Sequence, residues 1–375
     1  MKVLHVYSGN LYGGIETLLV TLARHRAVCS DMVPHFALCF EGRLSSELTS
    51  AGVPVYPLGP VRVSRPHSLR RARWKLRNLL QQKRFDSVVC HSAWSQAIFG
   101  PVVRAAGTRL AFYLHDVARG RHWTERWAKR TSPDLAICNS RFTSTSVAAI
   151  YPDIVPQIVH CAVPPPQGTP SRADRAAIRS TLMTAEDDVV VVQVSRLEEW
   201  KGHRSCFEAL ALIKHVTGWT CWQVGVPQRP KERRYLAGLK QLANELGIDR
   251  RVRFISEGSD VARLLSGSDI FCQPNIRPEP FGIAFVEALY AGLPVVTMAH
   301  GGAAEIVDTS CGVLLEPGDV AGLARALRCL IADSTLRAQY GVRAVERASA
   351  IANPLVQMGL LKRSLQRVDD VGTSS

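Results

Sequence analysis

Cys272–Val307 reads CQPNIRPEPFGIAFVEALYAGLPVVTMAHGGAAEIV, and the order of its signals decides the fold around it. Apolar residues over Asp269–Pro274 run into a Pro-Asn stop, as a short buried strand does. After a loop, Phe285–Ala291 keeps helical spacing, Gly292-Leu293-Pro294 breaks it, and Pro294–Met298 reads as a second strand. Strand, loop, helix and strand in this order make one crossover of a parallel α/β sheet. Two acids stand eight positions apart, Glu279 in the loop and Glu287 about a turn into the helix. Between them Pro280-Phe281-Gly282-Ile283 brings backbone N–H groups to a helix start. Those donors and the positive end of the helix dipole suit a phosphate or an ionised hydroxyl. Gly282 admits a ligand close to the backbone. A glycine pair, Gly301-Gly302, follows the second strand and precedes Glu305. Physics alone leaves an ordinary crossover with surface glutamates equally open.

Length and composition frame the rest. A chain of 375 residues exceeds one typical core, so two domains are expected. Hydrophobic residues make up 46% and charged residues 21%, the balance of a globular protein rather than a membrane-spanning or disordered one. The start, MKVLHVYSGNLYGG, is too short in apolar residues for a signal peptide and reads as a first strand in the cytoplasm. The ten cysteines lie singly, with no Cys-x-x-Cys. Cys39, Cys90, Cys138 and Cys272 sit in or beside apolar runs, where a thiol is a small core residue. The formal charge of +14 is uneven: residues 1–165 hold 21 Lys+Arg against 9 Asp+Glu, and residues 166–375 hold 25 against 23. Any anionic surface would therefore meet the first half. Nucleic acid is not expected as a partner, because neither zinc-finger spacing nor an RNA-recognition aromatic signature occurs.

Along the chain, the strand Lys2–Tyr7 leads into Ser8-Gly-Asn-Leu-Tyr-Gly13-Gly14 and a helix over Ile15–Arg26. Such a turn brings amides onto an anion, although any tight strand-to-helix turn can use two glycines. Strands recur near Val33–Phe40, Val53–Pro57, Ser87–His91, Arg109–His115 and Leu135–Cys138, alternating with helical patterns. His91 and His115 stand at strand ends, where open α/β sheets bind ligands. His91 reads first as a polar residue at a loop mouth. The proline-rich stretch Cys161–Ser171 is a stiff linker. After it Val189–Ser195 is a continuous β-branched strand, followed by Arg196-Leu-Glu-Glu-Trp-Lys201-Gly202. Arg196 as a fork and Lys201 as a point charge can clamp a diphosphate, or simply form a solvated basic loop. Asp319–Asp333 is an amphipathic helix with Leu323, Leu327 and Leu330 on one stripe.

Together these segments resemble the retaining, group-1 (family 4) glycosyltransferases of GT-B fold. The resemblance rests on Glu279-Pro-Phe-Gly, Glu287-Ala-x-x-Ala-Gly-x-Pro-Val-Val, Gly-Gly-x-x-Glu-Ile-Val and Arg196-Leu-x-x-x-Lys201-Gly. It covers nearly the whole chain, strongly over 189–335 and loosely over the first domain. It implies two Rossmann-like domains facing across a cleft: 1–165 on the acceptor side and 173–354 binding the nucleotide-sugar. Residues 355–375 would form a helix crossing back to the first domain, with Val371–Ser375 frayed. The implied reaction moves a sugar from a nucleotide-diphosphate sugar to an acceptor hydroxyl with retention of configuration. By resemblance Glu279 and His115 lie at the donor sugar, as catalytic residues, and Glu287 at the ribose. Phe281, Gly282 and Ile283 would meet sugar and diphosphate through their amides, with Gly13 and Gly14 facing them and Arg196 and Lys201 on the diphosphate. Asp116 is equally structural or acceptor-facing. No Asp-x-Asp occurs, so neither a metal nor a further cofactor is expected, the nucleotide-sugar being a co-substrate. Gly225-Val-Pro-Gln-Arg-Pro and Ser256 depart from the family's glycines near the base, which leaves base and sugar open. A nucleotide-sugar epimerase and a catalytically silent binding protein are the alternatives.

The last reading concerns the acceptor. Ser68–Arg84 reads as a helix with Leu69, Leu76, Leu79 and Leu80 on one stripe and Trp74 among Arg70, Arg71 and Arg77 on the other side. Trp123 and Trp127 stand among further basic residues just after His115. Tryptophans among cations suit an anionic membrane surface, or stack with arginine inside the protein. A sugar or lipid-linked sugar acceptor is expected, a glycolipid or polysaccharide precursor, with peripheral docking on the inner membrane face as an open option.

Overall fold

The fold is described from a computed structural model, over residues 1–9, 12–168, 171–255 and 260–366. The readings on Ser256, on Val371–Ser375 and on Asn10-Leu11 of the first loop lie outside the described residues. The chain divides into two compact units: Met1–Pro164 with the segment from Ala352 onward, and Pro165–Ile351.

Each unit is built on a parallel sheet. The first carries β1 (Lys2–Tyr7), β2 (Val33–Leu38), β3 (Val55–Pro57), β4 (Ser87–His91), β5 (Leu110–Leu114), β6 (Leu135–Cys138) and β7 (Gln157–Ile158), ordered β3-β2-β1-β4-β5-β6-β7. The second carries β8 (Val189–Val194), β9 (Trp219–Val224), β10 (Val252–Ile255), β11 (Ile270–Gln273), β12 (Val295–Met298) and β13 (Gly312–Leu315), ordered β10-β9-β8-β11-β12-β13. Both orders reverse direction once, at β1/β4 and at β8/β11. In such sheets the crevice beyond the strand C-termini at the reversal receives the ligand. The central strands β4, β5 and β6 are buried along their whole length, which is why they read as unbroken apolar runs.

Helices cover the sheets through one apolar stripe each. In Pro66–Gln82 the buried residues are Ala72, Leu76, Leu79 and Leu80, with Leu69 partly buried against the same core. Val320–Ala332 buries Leu323, Leu327, Leu330 and Ile331, and Asp319 caps it through the Gly322 amide at 2.7 Å. The helix Pro354–Gln366 belongs to the first unit. Gln357 Oε1 accepts from the His160 amide at 3.0 Å, and Lys362 pairs with Asp31. All ten cysteines are free and nine are buried, Cys329 being exposed. Burial pushes the Cys39 and Cys138 thiols up to about 12, so they behave as core residues.

Candidate active site

In the second unit the loops after β8 and β11, the two strands at the reversal, meet. Gly202 makes this possible. It sits in the left-handed region at φ +76°, and a Cβ there would stand 1.8 Å from the Pro274 carbonyl oxygen. The Ile276 amide donates to the Trp200 carbonyl at 2.9 Å, tying the loops together. Lys201 then reaches Glu279, and the two form an ion pair with side chains only 10% and 13% exposed. Asn275 Nδ2 donates to the same Glu279 oxygen, Oε2, at 3.1 Å. Gln273 Nε2 holds Asn275 Oδ1 at 3.1 Å, and Gln193 Nε2 holds the Lys201 carbonyl at 2.8 Å. Trp200 lies under the Lys201 amine, 4.0 Å from it. Both bonds to Glu279 converge on Oε2, so no described residue takes Oε1. An acceptor oxygen is thus held in place, beside an ammonium with donors to spare.

The glycine pair fixes the acidic loop from the other side. Gly301 pairs with Glu279 as an isolated bridge, and the Gly302 amide donates to the Glu279 carbonyl at 2.7 Å. A Cβ on Gly302 would meet the Phe281 Cα at 2.5 Å. Phe281 is buried, Gly282 turns at φ +107°, and the helix Ile283–Tyr290 starts there. The amides of Ile283 and Ala284 have no acceptor among the described residues, as first-turn geometry dictates. Oriented donors, a carboxylate and an ammonium therefore converge at one sheet end, suited to hold a hydroxylated, phosphorylated ligand.

Two further residues behave differently. Arg196 is exposed and pairs with Glu198 at 3.1 Å, not with the Lys201 group. Glu287 is half-buried on the helix with no side-chain partner among the described residues, and desolvation drives its carboxyl up to about 7. Ser195 Oγ lies 3.0 Å from His203 Nε2, which holds the start of the Arg196 loop. In the departing segment, Gly225 is close-packed, a Cβ there falling 2.5 Å from the Ser195 carbonyl oxygen.

In the first unit, Gly13 caps the helix Gly14–Arg24 in extended backbone (φ −172°), so its conformation does not itself demand glycine. His91 does not stand at a loop mouth as its position suggested. It is wholly buried between two other histidines, 2.9 Å from His5 Nδ1 and 2.9 Å from His115 Nε2. His115 is 8% exposed at the end of β5 and stacks on Tyr113. Asp116 accepts from the Val117 amide at 2.7 Å. Trp74 is 59% exposed, with Arg70, Arg71 and Arg77 exposed around it. The second aromatic cluster differs: Trp123 and Trp127 are half-buried edge to face, their centroids 5.3 Å apart, and Trp127 packs on the core.

Residue spelling alone missed His5, Asn275, Gln193 and Gln273. Gln193 and Gln273 are polar residues inside otherwise apolar strands, a signal the sequence does show. His5 gives the same signal within β1, but its partner becomes visible only when β1 is laid beside β4.

Two families together span most of the chain. Glycosyl transferases group 1 matches residues 174–347, and Glycosyltransferase Family 4 matches residues 12–166. The chain belongs to the group 1, family 4-like glycosyltransferases. Lipopolysaccharide core biosynthesis glycosyltransferase LpsD of Rhizobium meliloti is 27% identical over 341 residues, 90% of each chain. LpsE of the same organism is 31% identical over 172 residues, which span about half of either chain (46% of this one, 48% of LpsE). Among solved structures, Anabaena HepE in complex with UDP and glucose aligns with a TM-score of 0.83 and 25% identity, covering 98% of this chain and 100% of that one. The two Rossmann-like units are those of the GT-B fold.

Proposed function

We propose that this glycosyltransferase moves a sugar from a nucleotide-diphosphate sugar to an acceptor hydroxyl with retention of anomeric configuration. The observation that carries the reading is the Lys201–Glu279–Asn275 group at the β8/β11 reversal, beside the first-turn amides of the helix Ile283–Tyr290. Glu279 Oε1 would accept from a sugar hydroxyl. Lys201, Arg196 and the helix amides would neutralise charge on the departing diphosphate, the electrostatic work that matters most when the glycosidic bond breaks. Glu287 would take the ribose hydroxyls, and His115 would lie at the donor sugar. The UDP and glucose held by HepE support a nucleotide-sugar as donor here. The lipopolysaccharide core relatives support a glycolipid or polysaccharide precursor as acceptor. Among the described residues no helix is long and apolar enough to cross a membrane. Such an acceptor would be met by peripheral docking through the first unit, which carries most of the positive charge. A metal-independent reaction is part of the proposal, from the missing Asp-x-Asp.

Incubating the purified chain with a panel of nucleotide-sugars and following slow hydrolysis tests this directly. Release of nucleoside diphosphate from one donor, undiminished by chelator, is the expected result. Conversion of the sugar without nucleotide release would mean an epimerase, and binding without turnover a silent receptor. Activity abolished by chelator and rescued by a divalent ion would overturn the metal-free part alone.

A further inference from the structure

Three neighbouring strands of the first sheet each contribute a histidine to one line. His5 lies in β1, His91 ends β4, and His115 follows β5. The parallel registers set His5 against Val89 and His91 against Tyr113. His5 Nδ1 stands 2.9 Å from His91 Nε2, and His91 Nδ1 stands 2.9 Å from His115 Nε2. Phe36 closes one end by stacking on His5 (5.3 Å between centroids), and Tyr113 stacks on His115 at 4.2 Å. The Tyr113 hydroxyl is turned away, donating to the Val159 carbonyl at 2.6 Å. His5 and His91 are 0% exposed, and His5 Nε2 has no hydrogen-bond partner among the described residues. Ser92, next to His91, sits at φ +75°, a left-handed backbone that a non-glycine residue adopts at a cost. The contacts on both of its ring nitrogens hold His91 in line.

A neutral imidazole has one donor and one acceptor nitrogen. The single proton of His91 therefore sets both bonds at once. If it sits on Nδ1, His91 donates to His115, whose own proton must then be on Nδ1, and His5 donates to His91. His5 Nε2 is then a bare lone pair. If it sits on Nε2, every ring reverses, and His5 is left with a buried N–H that has no acceptor. Buried orphan N–H groups are the rare case in folded proteins. Burial also keeps the rings uncharged: His5 and His115 are pushed down to about 3 and His91 well below its usual value. His35 is the further titratable group that bears on the line, lowering His5 as well.

We propose that His5 and His91 are positioning residues that lock His115 as its Nδ1–H tautomer, so that it meets a ligand as a hydrogen-bond donor and not as a base. The consequence for turnover rests on the reading of His115 as a donor-sugar residue; the tautomer itself does not. Free histidine prefers the Nε2–H form, so an Nδ1–H ring at position 115 would be the work of the line.

Ring nitrogen spectra of the full chain labelled with 15N-histidine decide the matter, the His115 signals being assigned by their loss in His115→Gln. Expected are a protonated Nδ1 and a bare Nε2 on His115, unchanged over roughly pH 5 to 8. His91→Phe removes the donor and should return His115 to the Nε2–H form. His91→Asn, whose amide can still donate to His115 Nε2, should keep Nδ1–H. In nucleotide-sugar hydrolysis, kcat should fall about tenfold in His91→Phe with KM little changed, and recover in His91→Asn. An Nε2–H or titrating His115 in the unaltered protein overturns the proposal, as does an unchanged tautomer in His91→Phe. If His115→Ala hydrolyses donor at full rate, the assignment of His115 to the donor site fails, while the tautomer still judges the lock.

Discussion

Glu279 and Glu287 are both glutamates but sit in environments that predict different losses. Glu279 is already held by Lys201 and Asn275 through Oε2, leaving Oε1 for the proposed sugar contact. Glu279→Ala should therefore cut turnover more than nucleotide affinity. Glu287→Ala should instead weaken nucleoside diphosphate by about 1.5–3 kcal/mol, the worth of a charge-assisted hydrogen bond to ribose. Calorimetry with both variants checks this, and equal losses of affinity would sink the assignment. Arg196→Ala and Lys201→Ala should each cost more affinity for the diphosphate than for the bare nucleoside; diphosphate binding like the unaltered protein's would leave the loop merely solvated. Glu287 also makes a pH statement. Its carboxyl rises from 4.5 to about 7 in the folded chain, so between those values the folded state holds a proton the unfolded state has lost. Stability contributed by this group therefore falls as pH rises through that window. Glu287→Gln should be more stable than the parent above about pH 7, by on the order of 1 kcal/mol, and equal to it below about pH 4.5. Urea melts across that range would refute this if the two curves ran parallel.

At the scale of elements, the site is a matter of backbone approach. Gly202 and Gly301 are left-handed, and together with Gly302 they press on the backbone of Pro274, Glu279 and Phe281. A methyl at any of them would meet main chain that cannot rotate away. Gly302→Ala, with its Cβ 2.5 Å from the Phe281 Cα, should cost about 2 kcal/mol or more in stability and displace the acidic loop. Gly13→Ala is the control, because among the described residues a Cβ there meets nothing closer than 3.7 Å and its backbone is extended. A melting temperature unaltered in Gly302→Ala would show the loop to be softer than these distances say. The strands and helices around these glycines were legible because their periodicities are local: the leucine stripes of Pro66–Gln82 and Val320–Ala332 point inward as their spacing requires. The loop that carries Glu279 was legible from its spelling, and the helix start at Ile283 from the glycine before it. The line of histidines was not. Its members lie far apart in sequence, and only strand order and register bring them together. Asn275 was hidden for a related reason, since an Asn after a proline reads as a turn residue until Lys201 is seen to share its partner.

For the whole molecule the open question is what the charge of the first unit meets, and the two tryptophan clusters now separate. Of the formal +14, residues 1–165 supply 21 Lys+Arg against 9 Asp+Glu. Trp123 and Trp127 face each other, and Trp127 packs on the core, so neither is free to insert at headgroup level. Trp74 is 59% exposed with exposed Arg70, Arg71 and Arg77 beside it, while the opposite stripe of its helix is committed to the core. An indole there gains by leaving water, and each cation near an anionic surface adds about 1 kcal/mol. The proposed docking should run through this helix face. Co-sedimentation with vesicles containing acidic lipid should retain the chain at low salt and release it at high salt. Trp74→Ala and a combined Arg70→Ala, Arg71→Ala variant should each weaken retention severalfold, and Trp123→Ala should not. Retention that ignores lipid charge and ionic strength, or none at all, would point to a soluble acceptor and leave Trp74 as a contact for another protein surface.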